Sequence, residues 1–248
     1  MTMSVGQEIL RADSIVVRIG ERAVLTSATL RAVAGRVTVL FGRNGAGKST
    51  LLRVAAGLRA ATSGVVTFRG TAYLRPWLPV LAREGLFLLP DRDLLSPSMT
   101  LRAHFDLFAN RYGRPLVEEA AALAGVRDQL DVRAKRCSGG ERRRAEVALA
   151  WLRGPACVLA DEPYRDVAPA VGEVLSSMFR RLAADGCAVV VTGHETEALF
   201  DVGDKIVWCT AGTTYELGAP AQARAHERFL VEYLGVRAEM EEAGSDPD

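Results

Sequence analysis

Gly42-Arg43-Asn44-Gly45-Ala46-Gly47-Lys48-Ser49-Thr50 constrains this chain more than any other stretch. It fits G-x-x-x-x-G-K-[ST] and lies between an apolar β-type run, Arg36 to Phe41, and a helix-like run, Ser49 to Leu58. A strand that turns through glycines into a helix points successive backbone N–H groups at one spot, where the positive end of the helix dipole adds to them. Such a spot is a cradle for phosphate. The predicted binding residues are Gly42, Asn44, Gly45, Ala46, Gly47, Lys48, Ser49 and Thr50. Lys48 has the reach for β- and γ-phosphates, and the Ser49 hydroxyl can face Mg²⁺.

A phosphate loop that handles a nucleotide needs a partner for the metal. Ala156-Cys157-Val158-Leu159-Ala160-Asp161 is an apolar strand ending in a carboxylate, and Asp161 is expected to hold Mg²⁺ or its water shell. Glu162 follows, placed to orient and deprotonate an attacking water. Alone, Asp161-Glu162-Pro163 would read as a solvated acidic turn. His194, after the strand Ala188 to Thr192 and Gly193, can contact a γ-phosphate, though an isolated histidine there reads better as a surface turn residue. Ser138-Gly139-Gly140-Glu141 has S-x-x-E spacing, which predicts Ser138 as the N-cap of a helix running to Arg153.

The remaining pattern alternates. Strands are predicted at Ile15–Ile19, Val24–Leu30, Val65–Phe68 and Leu86–Leu89, then helices at Leu101–Tyr112 and Leu116–Leu123. A helix at Val171–Ala184, a short helix at Thr196–Phe200 and a hairpin of Lys205–Cys209 with Thr213–Glu216 follow. Pro76 to Leu81, with Trp77, reads as an unusually apolar loop, equally a groove lining or ordinary packing. The acidic stretch from Ala238 to Asp248 lacks a core pattern and predicts disorder.

At 248 residues with a net charge of +1, the chain suits one large or two small domains and carries no global field for nucleic acid. No apolar run reaches the roughly eighteen residues that span a bilayer, and Met1 to Asp13 lacks the apolar segment of a secretory signal. The four cysteines form no C-x-x-C pair and read as small buried hydrophobes. The basic cluster Arg133, Lys135, Arg136, Arg142, Arg143 and Arg144 reads as a solvated helix face rather than a nucleic-acid patch.

Taken in order, these motifs resemble those of the ATP-binding cassette (ABC) ATPases. Gly42–Thr50 is similar to their Walker A, Ser138-Gly139-Gly140-Glu141 to their signature, Cys157–Asp161 to their Walker B and His194 to their switch histidine, spanning about Ile15 to Gly218. The resemblance implies an α/β fold: a RecA-like P-loop core sheet, an antiparallel β subdomain and a helical signature subdomain over about 92–153. All would lie in one domain over 1–237. It implies ATP and Mg as cofactors and head-to-tail pairing with an identical or paralogous cassette. Ser138, Gly139 and Gly140 of one copy would then close over the nucleotide on the other. A separate integral membrane permease would be the partner, placing the chain in the cytoplasm on the inner face of the cell membrane. A soluble cassette acting on a protein assembly, as in iron–sulfur biogenesis, and a low-turnover nucleotide-gated module are the alternatives. Phe229 to Gly235 is similar to the ends of lipopolysaccharide-export and branched-chain amino-acid uptake cassettes.

Four positions depart from the family pattern. Ile19 stands where an aromatic ring stacks on adenine, Asp91 where a Q-loop glutamine contacts the metal, Ala168 where a D-loop aspartate sits, and Cys137 where leucine precedes the signature. Asp91 is therefore expected as a third metal-facing group beside Ser49 and Asp161.

Overall fold

The computed structural model describes residues 6–194 and 196–235; the acidic stretch from Ala238 lies outside them. In chain order, β1 (Glu8–Ile19) and β2 (Arg22–Val33) form a hairpin, and β3 (Val37–Phe41) leads through the glycine loop into α1 (Lys48–Ala55). Next come β4 (Ser63–Phe68), β5 (Thr71–Tyr73), α2 (Leu78–Arg83) and β6 (Leu86–Leu89). The helices α3 (Leu101–Tyr112), α4 (Val117–Ala124) and α5 (Gly139–Arg153) precede β7 (Cys157–Ala160). Then α6 (Pro169–Ala184), β8 (Ala188–Gly193), α7 (Thr196–Val202), β9 (Lys205–Thr210), β10 (Thr213–Gly218) and α8 (Pro220–Arg224) complete the main body. A final helical segment runs through Glu227–Phe229 and Leu230–Leu234.

The strands form one ten-stranded sheet in the order β5-β4-β1-β2-β10-β9-β3-β8-β7-β6. Strands β9, β3, β8, β7 and β6 pair in parallel, while β5, β4, β1 and β2 pair antiparallel. The two halves meet where β10 pairs with β2 at Thr213 and Ser27, reinforced by the Thr29 N–H donating to Thr214 Oγ1 at 2.7 Å.

Continuous apolar strands are expected in a parallel sheet covered on both faces. The sequences VTVLF, CVLA and AVVVTG are buried along their whole length. Alternate residues serve opposite cores: Val37, Val39, Phe41, Val158, Val189 and Val191 pack with the helices α3 to α7, whereas Leu40, Leu159 and Val190 pack with α1 and the antiparallel strands. Both cores grip β3, so the loop it feeds is anchored at the centre of the molecule.

Most predicted elements are present, with three differences. β1 and β2 run longer than their alternation suggests, because register shifts between Ala12 and Ile15 and around Val17 break the period. The stretch expected as an apolar loop holds α2, with Pro79 in its first turn and Leu81 fully buried beneath it. β5 is a three-residue strand too short to show a pattern. Among the described residues no helix is long and apolar enough to cross a membrane, and all four cysteines are free and buried.

Candidate nucleotide site

The loop leaves the carboxyl end of β3 and is pressed against its neighbours. A Cβ on Gly42 would lie 2.5 Å from the Cys209 carbonyl at the end of β9. At Gly47 φ is +108°, and a Cβ there would lie 2.5 Å from Leu25 Cδ2 of β2. Only glycine fits either position.

Lys48 begins α1 and is buried. Its Nζ donates to the carbonyl of Gly42 at 2.6 Å and to that of Arg43 at 3.4 Å, and lies 3.5 Å from Glu162 Oε1. The lysine therefore folds back over the rim of its own loop.

Pairing of β7 with β8 sets Ala160 beside Val191, which brings Asp161 next to Thr192. Thr192 Oγ1 donates to Asp161 Oδ1 at 2.8 Å and accepts the Glu162 N–H at 2.9 Å. Ser49 Oγ donates to the same Asp161 oxygen at 2.9 Å. Burial pushes the Asp161 carboxyl above the usual carboxylate range; the Thr192 and Ser49 hydroxyls pull it back, and the charges of Asp91 and Glu162 add to the rise. Glu162 holds a left-handed backbone, φ +47°, a strained conformation for this residue type.

Asn44, Gly45, Gly47, Lys48, Ser49, Thr50 and Glu162 line one cavity of about 240 Å³, joined from the β1–β2 hairpin by Arg22 and Val24. His194 is exposed and shares a second cavity with Arg43, Asn44, Tyr233 and Leu234, so Asn44 stands between the two. The Asp91 carboxylate lies 3.7 Å from the Arg53 guanidinium in the last turn of α1.

Ser138 caps α5 as predicted: its hydroxyl accepts the Glu141 N–H at 3.2 Å and its own N–H donates to Glu141 Oε2 at 2.7 Å. Gly139 lines a cavity with Asp91 and Asp166, apart from the Lys48 cavity. Among the described residues, Gly139 of the signature and the phosphate loop line different cavities.

Three features escaped the sequence reading. Thr192 was read only as strand. Arg143 is not a solvated residue: it pairs at 3.0 Å with Glu146, which is 1% exposed, and donates to the Pro90 and Asp91 carbonyls at 2.9 and 3.3 Å. Glu146 also accepts the Leu94 N–H at 2.7 Å, so α5 clamps the segment after β6. A lone carboxylate inside Ala145–Ala150, otherwise apolar, was the available signal. Third, the final helical segment rests on the loop strand: Tyr233 packs edge-on against Phe41, and Arg43 donates to the Glu232 carbonyl at 2.7 Å.

A glycine loop at the end of a central parallel strand, with a buried carboxylate on a neighbouring strand bonded to the loop's serine, defines a P-loop nucleotide-binding protein. The family model for the ABC transporter matches residues 25–165, and the chain belongs to that family of transporter ATPases. It is 30% identical over 226 residues to the zinc import ATP-binding protein of Halorhodospira halophila, covering 89% of this chain and 81% of that one. It is 33% identical over 214 residues to an ABC transporter ATP-binding/permease protein of Mycobacterium tuberculosis, covering 82% of this chain but 24% of that larger protein. A solved ATP-binding cassette of an ABC transporter in its ADP conformation has the same fold, with a TM-score of 0.80 at 23% identity over 93% of this chain and all of that one.

Proposed function

We propose that the chain binds ATP with Mg²⁺ at the Lys48 cavity, hydrolyses it, and drives a separate membrane permease on whose cytoplasmic side it docks. The observation that carries this reading is the convergence of Ser49 and Thr192 on one buried Asp161 oxygen, with Lys48 and Glu162 alongside. An anionic oxygen held in a buried site, its carboxyl already pushed up by burial, suits a divalent cation. Ser49 and Asp161 would hold Mg²⁺, with Asp91 as the third group facing it. The ion would neutralise charge building on the β- and γ-phosphate oxygens.

The chain's own residues do the rest. The loop N–H groups and Lys48 bind the phosphates, the lysine exchanging its carbonyl partners for phosphate oxygens. Glu162 accepts a proton from a water whose oxygen forms the new bond to the γ-phosphorus, while the bond to the β,γ-bridging oxygen breaks and ADP leaves. Thr192 fixes the Glu162 backbone and the Asp161 carboxylate together. His194 contacts the γ-phosphate. Within one ABC ATPase domain over about 1–237, a helical subdomain over about 92–153 presents Ser138, Gly139 and Gly140 to the nucleotide on a second cassette, identical or paralogous. The separation of signature and loop within one chain supports this, because closure then needs the second copy.

The test is ATP binding and phosphate release by the wild type, Lys48→Ala and Glu162→Gln. The reading expects Lys48→Ala to lose binding, and Glu162→Gln to bind normally, pair in ATP and release phosphate at least about a hundredfold more slowly. Unchanged turnover in Glu162→Gln removes that residue from the chemistry.

A further inference from the structure

We propose that Arg22 recognises the base of the bound nucleotide, its guanidinium plane lying on the purine in place of the aromatic ring that Ile19 does not supply; the proposal rests on the nucleotide reading above. Ile19 and Arg22 are direct partners across the β1–β2 ladder, flanking the Gly20–Glu21 turn. Residues directly opposite in an antiparallel ladder project from the same face, and so do residues two apart along one strand. Ile19 and Arg22 therefore share a face, and the register shift between Arg18–Ala23 and Val17–Leu25 makes Val24 a bulge residue. Arg22 and Val24 line the cavity formed by the phosphate loop.

Arg18, the preceding residue of β1, leaves from the other face and donates to the Glu21 carbonyl at 3.1 Å. Arg22 is different. It is exposed, and among the described residues its side chain makes no hydrogen bond, ion pair or ring contact. Its charge and its plane are both uncommitted beside the cavity.

Two roles compete for that guanidinium. It could pair with phosphate or stack on the base. The phosphate end already has Lys48 and the loop N–H groups, which lie at the start of α1 and between β3 and α1. Arg22 stands on the hairpin, next to two aliphatic side chains, Ile19 and Val24, that suit the ring end of a nucleotide and not its phosphates. A guanidinium is planar, weakly hydrated and stacks on π-faces, which an ammonium does not do. Recognition of this kind uses a face that every base has, so discrimination between purines is weak.

Calorimetric titration of wild type, Arg22→Ala, Arg22→Lys and Arg22→Trp with ATP and, separately, with inorganic tripolyphosphate tests the assignment. Expected are an approximately tenfold weakening of ATP by Arg22→Ala, no rescue by Arg22→Lys, recovery by Arg22→Trp, and tripolyphosphate affinity within about twofold of wild type throughout. Equal weakening of both ligands with rescue by lysine would make Arg22 a phosphate contact and overturn the proposal. Unchanged ATP affinity in Arg22→Ala overturns it as well. A wild-type protein that binds neither ligand would instead bring down the nucleotide reading itself.

Discussion

Replacing Thr192 by valine keeps the shape of a fully buried side chain and removes one hydroxyl that serves two partners. The Glu162 N–H loses its acceptor, at a cost of about 1–3 kcal/mol for a buried unsatisfied donor. Asp161 loses one of two hydroxyl donors, at about 1–3 kcal/mol more. The expected loss is about 2–6 kcal/mol, a large part of the roughly 5–15 kcal/mol a domain possesses. In a urea titration of the nucleotide-free protein this is a fall in midpoint of about 1 M or more. The deficit also depends on pH. Burial raises the Asp161 carboxyl, so the folded protein keeps that proton to higher pH than the unfolded chain, and the group's contribution to stability falls as pH rises through the raised value. The Thr192 hydroxyl favours the charged form; without it the carboxyl rises further, and Thr192→Val loses more at pH 8 than at pH 4. Thr192→Ser, which keeps the hydroxyl, should lose only about 1 kcal/mol for the missing methyl. If serine and valine are equally destabilising, the effect is packing and the bridging hydroxyl is irrelevant.

Two further outcomes follow from the same geometry. Ser138→Ala removes both the cap of α5 and half of its capping box, so a melting-temperature drop of about 2–4 °C is expected, with ATP-induced pairing in a Glu162→Gln background lost on size-exclusion chromatography. Glu146→Ala strands Arg143 and the Leu94 N–H, costing about 3–5 kcal/mol by guanidinium denaturation; a cost under 1 kcal/mol would show that the clamp on the segment after β6 is dispensable.

Local chemistry was legible where it repeats at short range. The glycine loop between strand and helix, the Ser138–Glu141 capping box and the apolar runs of β3, β7 and β8 each carry their signal within about ten residues. The contributions of Thr192 and Arg22 do not. Thr192 reads as one more β-branched residue of an apolar strand until β7 is laid beside β8, and the two sites it bridges are 30 and 31 residues away. Arg22 acquires meaning only from its ladder partner and from a loop that follows two strands later. Glu146 was visible as an anomaly, but which backbone it would hold depended on the return of α5 to the segment after β6. The resemblance sets Asp91 beside Ser49 and Asp161; its carboxylate pairs with Arg53, so the balance of charge around it is set by α1 as well.

Lys48 meets its visitors already engaged. Two carbonyls and a carboxylate hold the ammonium inside the protein, so an incoming anion has to outbid them all at once. A polyphosphate meets the loop N–H groups as well as the ammonium, so its contacts with the loop help offset the partners the lysine gives up. The tethered lysine thus sets a threshold: an anion that touches the ammonium alone must displace three partners to gain one.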